Sequence, residues 1–163
     1  MQLFNNNHKK NQKNNQQNNQ QNNQQNNQQN QAHNYIALEF AKIYYEKMSH
    51  SVIGAMDLFH QNALCTFESD EFRGSYNWLL KLTQSGVAKF EYNNISVISQ
   101  PISSCEMSQY FDHSEIIINV KGKLKAVGLW KQYVSKWLQF NEIFVLEKSD
   151  NKYLVKNYML KMN

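Results

Sequence analysis

The sequence predicts an α+β domain: three helices and a short strand pair first, then an antiparallel sheet of long strands. Three observations carry this reading. Apolar residues recur at helical spacing in the segments before Gly86. The long segments after Gly86, over 90–98, 114–125, 137–148 and 153–162, read as strands. The later segments are joined mostly by hairpin signals, which segregates helices from sheet.

The domain is expected over 34–163. The chain has 163 residues and a formal charge of +4, from 17 Lys+Arg and 13 Asp+Glu. Residues 11–31 are all Asn or Gln except Lys13, and NNQQ repeats without error from Asn14 to Gln29. Residues 1–33 hold Lys9, Lys10 and Lys13 and no acid, so most of the net charge belongs to this tail. Its few apolar side chains cannot offset an ordering cost of roughly 1–2 kcal/mol per residue, so the tail is expected to be disordered. Whether it is an idle repeat or an aggregation-prone tract stays open. The domain is then nearly neutral, with 14 basic against 13 acidic residues. Two cysteines, Cys65 and Cys105, make no disulfide scaffold, and no apolar run is long enough to span a membrane. The N-terminus MQLFNNNHKK lacks the apolar stretch of a secretory signal, so both thiols are expected to be reduced in cytosol or nucleus.

Each element follows from a local pattern. Over 34–48, Ile36, Phe40, Ile43, Tyr44 and Met48 form one helical stripe, with Asn34 as N-cap. Residues 52–60 predict a second short helix with Val52, Ile53, Met56 and Phe59 inward. ALCTFES, 63–69, alternates as a strand, Ser69-Asp70 turns, and 71–74 returns. Ser75 is expected to cap a third helix carrying Trp78, Leu79 and Leu82. Strands are then expected over 90–98, 114–125, 137–148 and 153–162, with Pro101 ending the first and 149–152 turning between the last two.

The last two strands are apolar on both faces. Phe140, Phe144 and Leu146 oppose Ile143 and Val145, while Tyr153, Val155 and Met159 oppose Leu154, Tyr158, Leu160 and Met162. A sheet with one solvated face should read polar on that face. A second surface is therefore expected to cover it, and a protein partner is the economical candidate. The alternative is a sheet that curls and buries both faces within one chain.

FAKIYY (40–45), LFHQNALCTFESDEFRG (58–74), INVKGKLK (118–125), FNEIFVLEK (140–148) and YLVKNYMLKM (153–162) together resemble the nuclear transport factor 2 family. The likeness is collinear over nearly all of 34–163. It rests on an F-x-x-x-Y-Y helix, Phe40 to Tyr45, the stretch Phe67 to Gly74, Gly122-Lys123-Leu124, and an F-x-Q-x-F-x-L strand, here Phe140 to Leu146. The resemblance implies a cone: a bent, mostly antiparallel sheet wrapped around three helices, pairing through its exposed face. Phe140, Glu142, Phe144, Leu146 and Tyr158 are the residues expected on that partner face. The implied role is a non-enzymatic nucleocytoplasmic transport adaptor at the nuclear pore. It would pair as a homodimer, or with a large mRNA-export receptor, and contact phenylalanine-rich (FG) nucleoporins.

The family's Ran-GDP importer uses acids to accept a Ran lysine. Glu68, after Phe67, matches one of them. The acidic pair expected after Leu124-Lys125-Ala126 is missing, and the loop there carries Lys131, which disfavours Ran. The resemblance therefore leans to the export adaptor, with the Ran carrier as the alternative. Leu129, Trp130, Tyr133, Val134 and Trp137 recur at helical spacing in 127–139, so Trp130, Tyr133 and Trp137 are expected to dock a partner or pack. With Lys121, Lys123, Lys125, Lys131 and Lys136 they would otherwise suit single-stranded RNA.

The same cone hosts enzymes, and Asp57, His60, Asp112, His113 and Glu115 are the candidate acids and bases. Asp57 and His60, one turn apart, read as a surface pair, and His50 as a group at a helix C-terminus. The scattered cysteines and histidines give no zinc spacing and the single glycines no phosphate loop, so neither metal nor cofactor is expected. A further alternative is a scaffold subunit of another ribonucleoprotein assembly.

Overall fold

The computed structural model describes residues 32–102, 114–128 and 134–163. The Asn/Gln tract, Cys105, Asp112, His113, Trp130, Lys131 and Tyr133 lie outside the described residues. Helix α1 covers 32–50. It is already running at residue 34, so Asn34 is no N-cap, and its Oδ1 instead accepts a 2.8 Å hydrogen bond from Ser99 Oγ. Ala37, Phe40, Ala41, Tyr44, Tyr45 and Met48 are buried, whereas Ile43 is 43% exposed. Tyr45 takes the inward place expected of Ile43 because its hydroxyl finds a buried acceptor. A 3-10 helix, Val52–Leu58, follows. Its three-residue turn selects Val52 and Ala55 for burial and leaves Ile53 and Met56 outside, contrary to the α-helical expectation.

Strands β1 (Phe59–Phe67) and β2 (Asp70–Arg73) form a hairpin that turns on Glu68-Ser69, with Glu68 at φ 57°. Helix α2 spans Ser75–Gln84. Gly74, at φ 82°, is its N-cap; Ser75 is its buried first residue and not the cap. A Cβ on Gly74 would stand 3.0 Å from the Gln61 carbonyl, so both backbone and space require glycine there. Trp78, Leu79 and Leu82 are buried as expected.

Strands β3 (Val87–Pro101), β4 (Glu115–Gly128), β5 (Leu138–Ser149) and β6 (Lys152–Met162) form an antiparallel meander. The sheet order is β2-β1-β6-β5-β4-β3, and β1 runs parallel to β6. The sheet is therefore mixed rather than antiparallel throughout. A parallel neighbour needs a long connection, and everything between β1 and β6 supplies it. Register breaks at Asn93/Ser96 in β3 and at Val145/Leu146 against β6, and such bulges bend a sheet. Together the three helices and the bent, unclosed six-stranded sheet make the α+β cone expected of the resemblance.

The core lies between α1, α2 and the inner sheet face. Trp78 stacks on Tyr158 at 4.7 Å between ring centroids, and Tyr44 meets Phe144 edge-on at 4.9 Å. Segment 134–137 is irregular, with Val134 bridged to Val127 and Ser135 Oγ accepting the Ala126 N–H. The described parts of 127–139 are the end of β4, an isolated bridge and the start of β5, with no helix; Leu129, Trp130 and Tyr133 of the helical spacing lie outside the described residues.

Candidate functional site

Phe140, Glu142, Phe144, Leu146 and Tyr158, expected on the partner face, are all at most 3% exposed and face the helices. Their parity on β5 was legible, but not which parity faces inward. The alternation expected on β6 fails at the bulge. Val145 pairs with Asn157 and Leu146 with Val155, so Lys156 is an extra residue. Val155 and Tyr158 therefore share the inner face instead of opposing each other.

The inner face holds one carboxylate, Glu142, 1% exposed. Tyr158 donates to its Oε1 at 2.7 Å, Tyr44 Oη lies 3.2 Å from both that oxygen and Tyr158 Oη, and Tyr45 donates to Oε2. Burial pushes the Glu142 carboxyl up to about 7, while the three tyrosine donors oppose that rise by favouring its charged form. Burial, then the charge of Glu142, holds the hydroxyls of Tyr44, Tyr45 and Tyr158 well above the ordinary tyrosine range. They stay protonated and remain donors. A carboxylate among phenols is a proton-handling group in principle, but packing seals this one from any solute.

The described acid–base residues read from the sequence, Asp57, His60 and Glu115, do not converge. Asp57 is bound by Lys47 at 3.0 Å on the surface, and His60 Nδ1 accepts the Asn62 N–H at 3.2 Å. Glu115 and Glu147 both bind Lys156, at 2.8 and 3.3 Å. His50 Nδ1 lies 2.7 Å from the Glu46 carbonyl at the end of α1, as its position suggested. Glu68 accepts the Met162 N–H at 2.7 Å and donates its own N–H to Leu160, so it fixes the end of β6. Trp137 is 44% exposed, with the Lys125 ammonium 5.1 Å from its ring centroid. Among the described residues no cluster of three metal-ligating side chains occurs, and no helix is long and apolar enough to cross a membrane.

The sequence reading expected a second apolar face on the sheet but not which residues form it. Register aligns Thr66, Met159, Ile143, Asn119 and Ile98 in one row across five strands. The next row is Leu64, Asn157, Val145, Ile117 and Gln100. Ile98 is 63% exposed, Met159 47% and Leu64 37%; Ile117, Ile143 and Val145 are half-buried. Within and beside this aliphatic band, the Oδ1 atoms of Asn119 and Asn141 are out of water with no hydrogen-bond partner. Unmet acceptors of this kind cost about 1–3 kcal/mol each. The middle of the face is aliphatic, and Glu71 and Arg73 on β2 continue its two rows at the edge.

No protein-family model matches the chain. Solved structures do. Nuclear transport factor 2 from Cryptosporidium parvum is 20% identical with a TM-score of 0.62, covering 80% of this chain and 94% of that one. The NTF2-like domain of Mex67 from Chaetomium thermophilum, complexed with Mtr2, is a match at 14% identity and TM-score 0.56, over 80% and 98% of the two chains. A putative scytalone dehydratase from Novosphingobium aromaticivorans matches at 12% and 0.54, over 78% and 82%. The shape thus serves both binding proteins and an enzyme, and at these identities the likeness is one of architecture. The chain has the nuclear transport factor 2-like fold.

Proposed function

We propose that this chain is a non-enzymatic transport adaptor that pairs with a protein partner through the outer face of its sheet. The observation that carries the reading is the aliphatic band of Leu64, Ile98, Ile117, Ile143, Val145 and Met159, with the orphaned acceptors of Asn119 and Asn141. A partner supplies apolar cover worth about 25 cal/mol per Å² and the donors the face lacks. The Mex67–Mtr2 complex, an NTF2-like domain bound to Mtr2, is the model for that pairing. The adaptor then acts between nucleus and cytoplasm, at the nuclear pore, beside an mRNA-export receptor and FG nucleoporins. The sealed Glu142 cluster supports a binding protein over an enzyme. Glu68, spent on the end of β6, favours the export adaptor over a Ran-GDP carrier.

The test is co-purification of the full chain with the NTF2-like domain of an mRNA-export receptor from the same organism, with GDP-loaded Ran in parallel. A stable heterodimer that Ile143→Asp weakens at least a hundredfold is the expected result. Binding to Ran-GDP alone, or to neither while the chain stays monomeric at tens of micromolar, overturns the proposal.

A further inference from the structure

The outer face is graded along the strands. Below the aliphatic band, Lys161 pairs with Asn141, Asn141 with Lys121, and Lys121 with Ser96; Lys123 pairs with Gln139 in the next row. There the sheet opens into a depression of about 530 Å³, lined by Asn94, Ser96, Lys121, Lys123, Gln139 and Asn141 among others. Lys121, Lys123 and Lys161 enter no ion pair among the described residues. The neighbouring carboxylate of Glu91 is already held by Lys125 at 2.6 Å. At the opposite end of the face Lys156 is neutralised by Glu115 and Glu147. Among the described residues, the lysines at the Lys121 end thus lack the side-chain carboxylate partners that Lys156 has at the other.

We infer that the depression rimmed by Lys121 and Lys123 receives an acidic segment of the protein partner that covers the adjoining band. This rests on the sheet-face reading above and adds the partner's chemistry: apolar groups and donors at the centre, carboxylates over the lysines. Charge complementarity argues for the acids, since like charge there is repelled and opposite charge steers encounter. Continuity with the aliphatic band argues for protein over nucleic acid, because Ile143, Val145 and Met159 offer nothing to a phosphate backbone. The one exposed aromatic near the site among the described residues, Trp137, already has the Lys125 ammonium over its ring and is a poor stacking platform for bases. Among the described residues a second copy of the chain offers on this face the carboxylates of Glu91, Glu115 and Glu147, each already held by a lysine, and Glu71 alone on the edge strand β2, too little free acid for the unpaired lysines.

Fluorescein-labelled deca-glutamate serves as the probe, titrated by anisotropy into the full chain at 50 and 500 mM NaCl. Binding at low salt that falls at least tenfold in Lys121→Ala/Lys123→Ala, and falls with salt, is the expected result. The charge-matched control Lys81→Ala/Lys152→Ala keeps wild-type affinity, which discounts the lysines of the tail. Equal loss in the control, or no loss in either, overturns the proposal. So does a uridine decanucleotide bound tighter than deca-glutamate in a Lys121- and Lys123-dependent way, which marks a nucleic-acid site. A homodimer abolished by the same pair also overturns it, by making a second copy the occupant. Ile143→Ser leaves deca-glutamate binding unchanged, so failure here and failure of the sheet-face reading are told apart.

Discussion

Replacing Glu142 by Gln removes a buried charge while keeping volume and a hydrogen-bonding oxygen among the same tyrosines. The native carboxyl titrates near 7, against an ordinary value of 4.5 that the unfolded chain retains. Below about pH 4.5 both states bind the proton and the group costs nothing. Between there and pH 7 the unfolded chain releases its proton first, so stability is lost as pH rises through that window. Each unit of difference is worth about 1.4 kcal/mol, so the full loss approaches 3 kcal/mol by about pH 8. Glu142→Gln does not titrate. The difference in unfolding free energy between variant and wild type should therefore shift by about 3 kcal/mol in favour of the variant between pH 4.5 and pH 8. Other titrating groups are common to both proteins and cancel, as does any fixed cost of the amide. Urea unfolding at pH 4.5, 6 and 8, followed by tryptophan fluorescence, reads this directly. A difference constant to within about 1 kcal/mol across that range would refute the reasoning, since it means that Glu142 is solvated or ionised throughout.

Three further outcomes follow from local geometry. A Cβ on Gly122 would stand 2.9 Å from the Phe140 ring and 3.2 Å from the Asn93 carbonyl, so Gly122→Ala should cost about 1–3 kcal/mol in urea unfolding. Cys65 is fully buried and its thiol is pushed up to about 12 by that burial. In a Cys105→Ser background, Ellman's reagent at pH 8 should therefore react with it only as fast as the chain unfolds. Asn119→Leu removes an orphaned acceptor, so it should stabilise the isolated chain by about 1 kcal/mol yet weaken a partner that donates to Asn119; a gain in stability with unchanged partner affinity counts against the sheet-face reading.

The segments were legible in the sequence because their periods differ. Helical spacing marked α1 and α2, and alternation marked all six strands, to within a few residues for most. Three features were not legible, each for a physical reason. A 3-10 helix and an α-helix share the inward residue Val52 and diverge only at the next turn, so Ile53 and Met56 were misplaced. The bulge at Lys156 adds a residue without a Gly or Pro to signal it, and reversed the faces of Val155 and Tyr158. The β1–β6 pairing joins strands about ninety residues apart, beyond the reach of any local pattern. The residues expected on a partner face are buried for a different reason. Aromatic residues on β5 suit a docking surface by type, but in a small cone they are the bulk that fills the interior.

The burial pattern also shows how β5 encodes two surfaces. Its inward positions are Phe140, Glu142, Phe144 and Leu146, and its outward ones Asn141, Ile143, Val145 and Glu147. The inner set is aromatic and carries one carboxylate, which only the hydroxyls of Tyr44, Tyr45 and Tyr158 make tolerable there. The outer set is aliphatic and amide, with no aromatic ring to fill a cavity and little charge to hold water. A slip of one residue would place Glu142 in the outer band and Ile143 among the tyrosines, leaving three hydroxyls without their acceptor. The tyrosine cluster therefore fixes the register of β5, and with it the side of the sheet on which Ile143 and Val145 are displayed. A core device that costs stability at neutral pH thereby specifies the surface through which the chain is proposed to work.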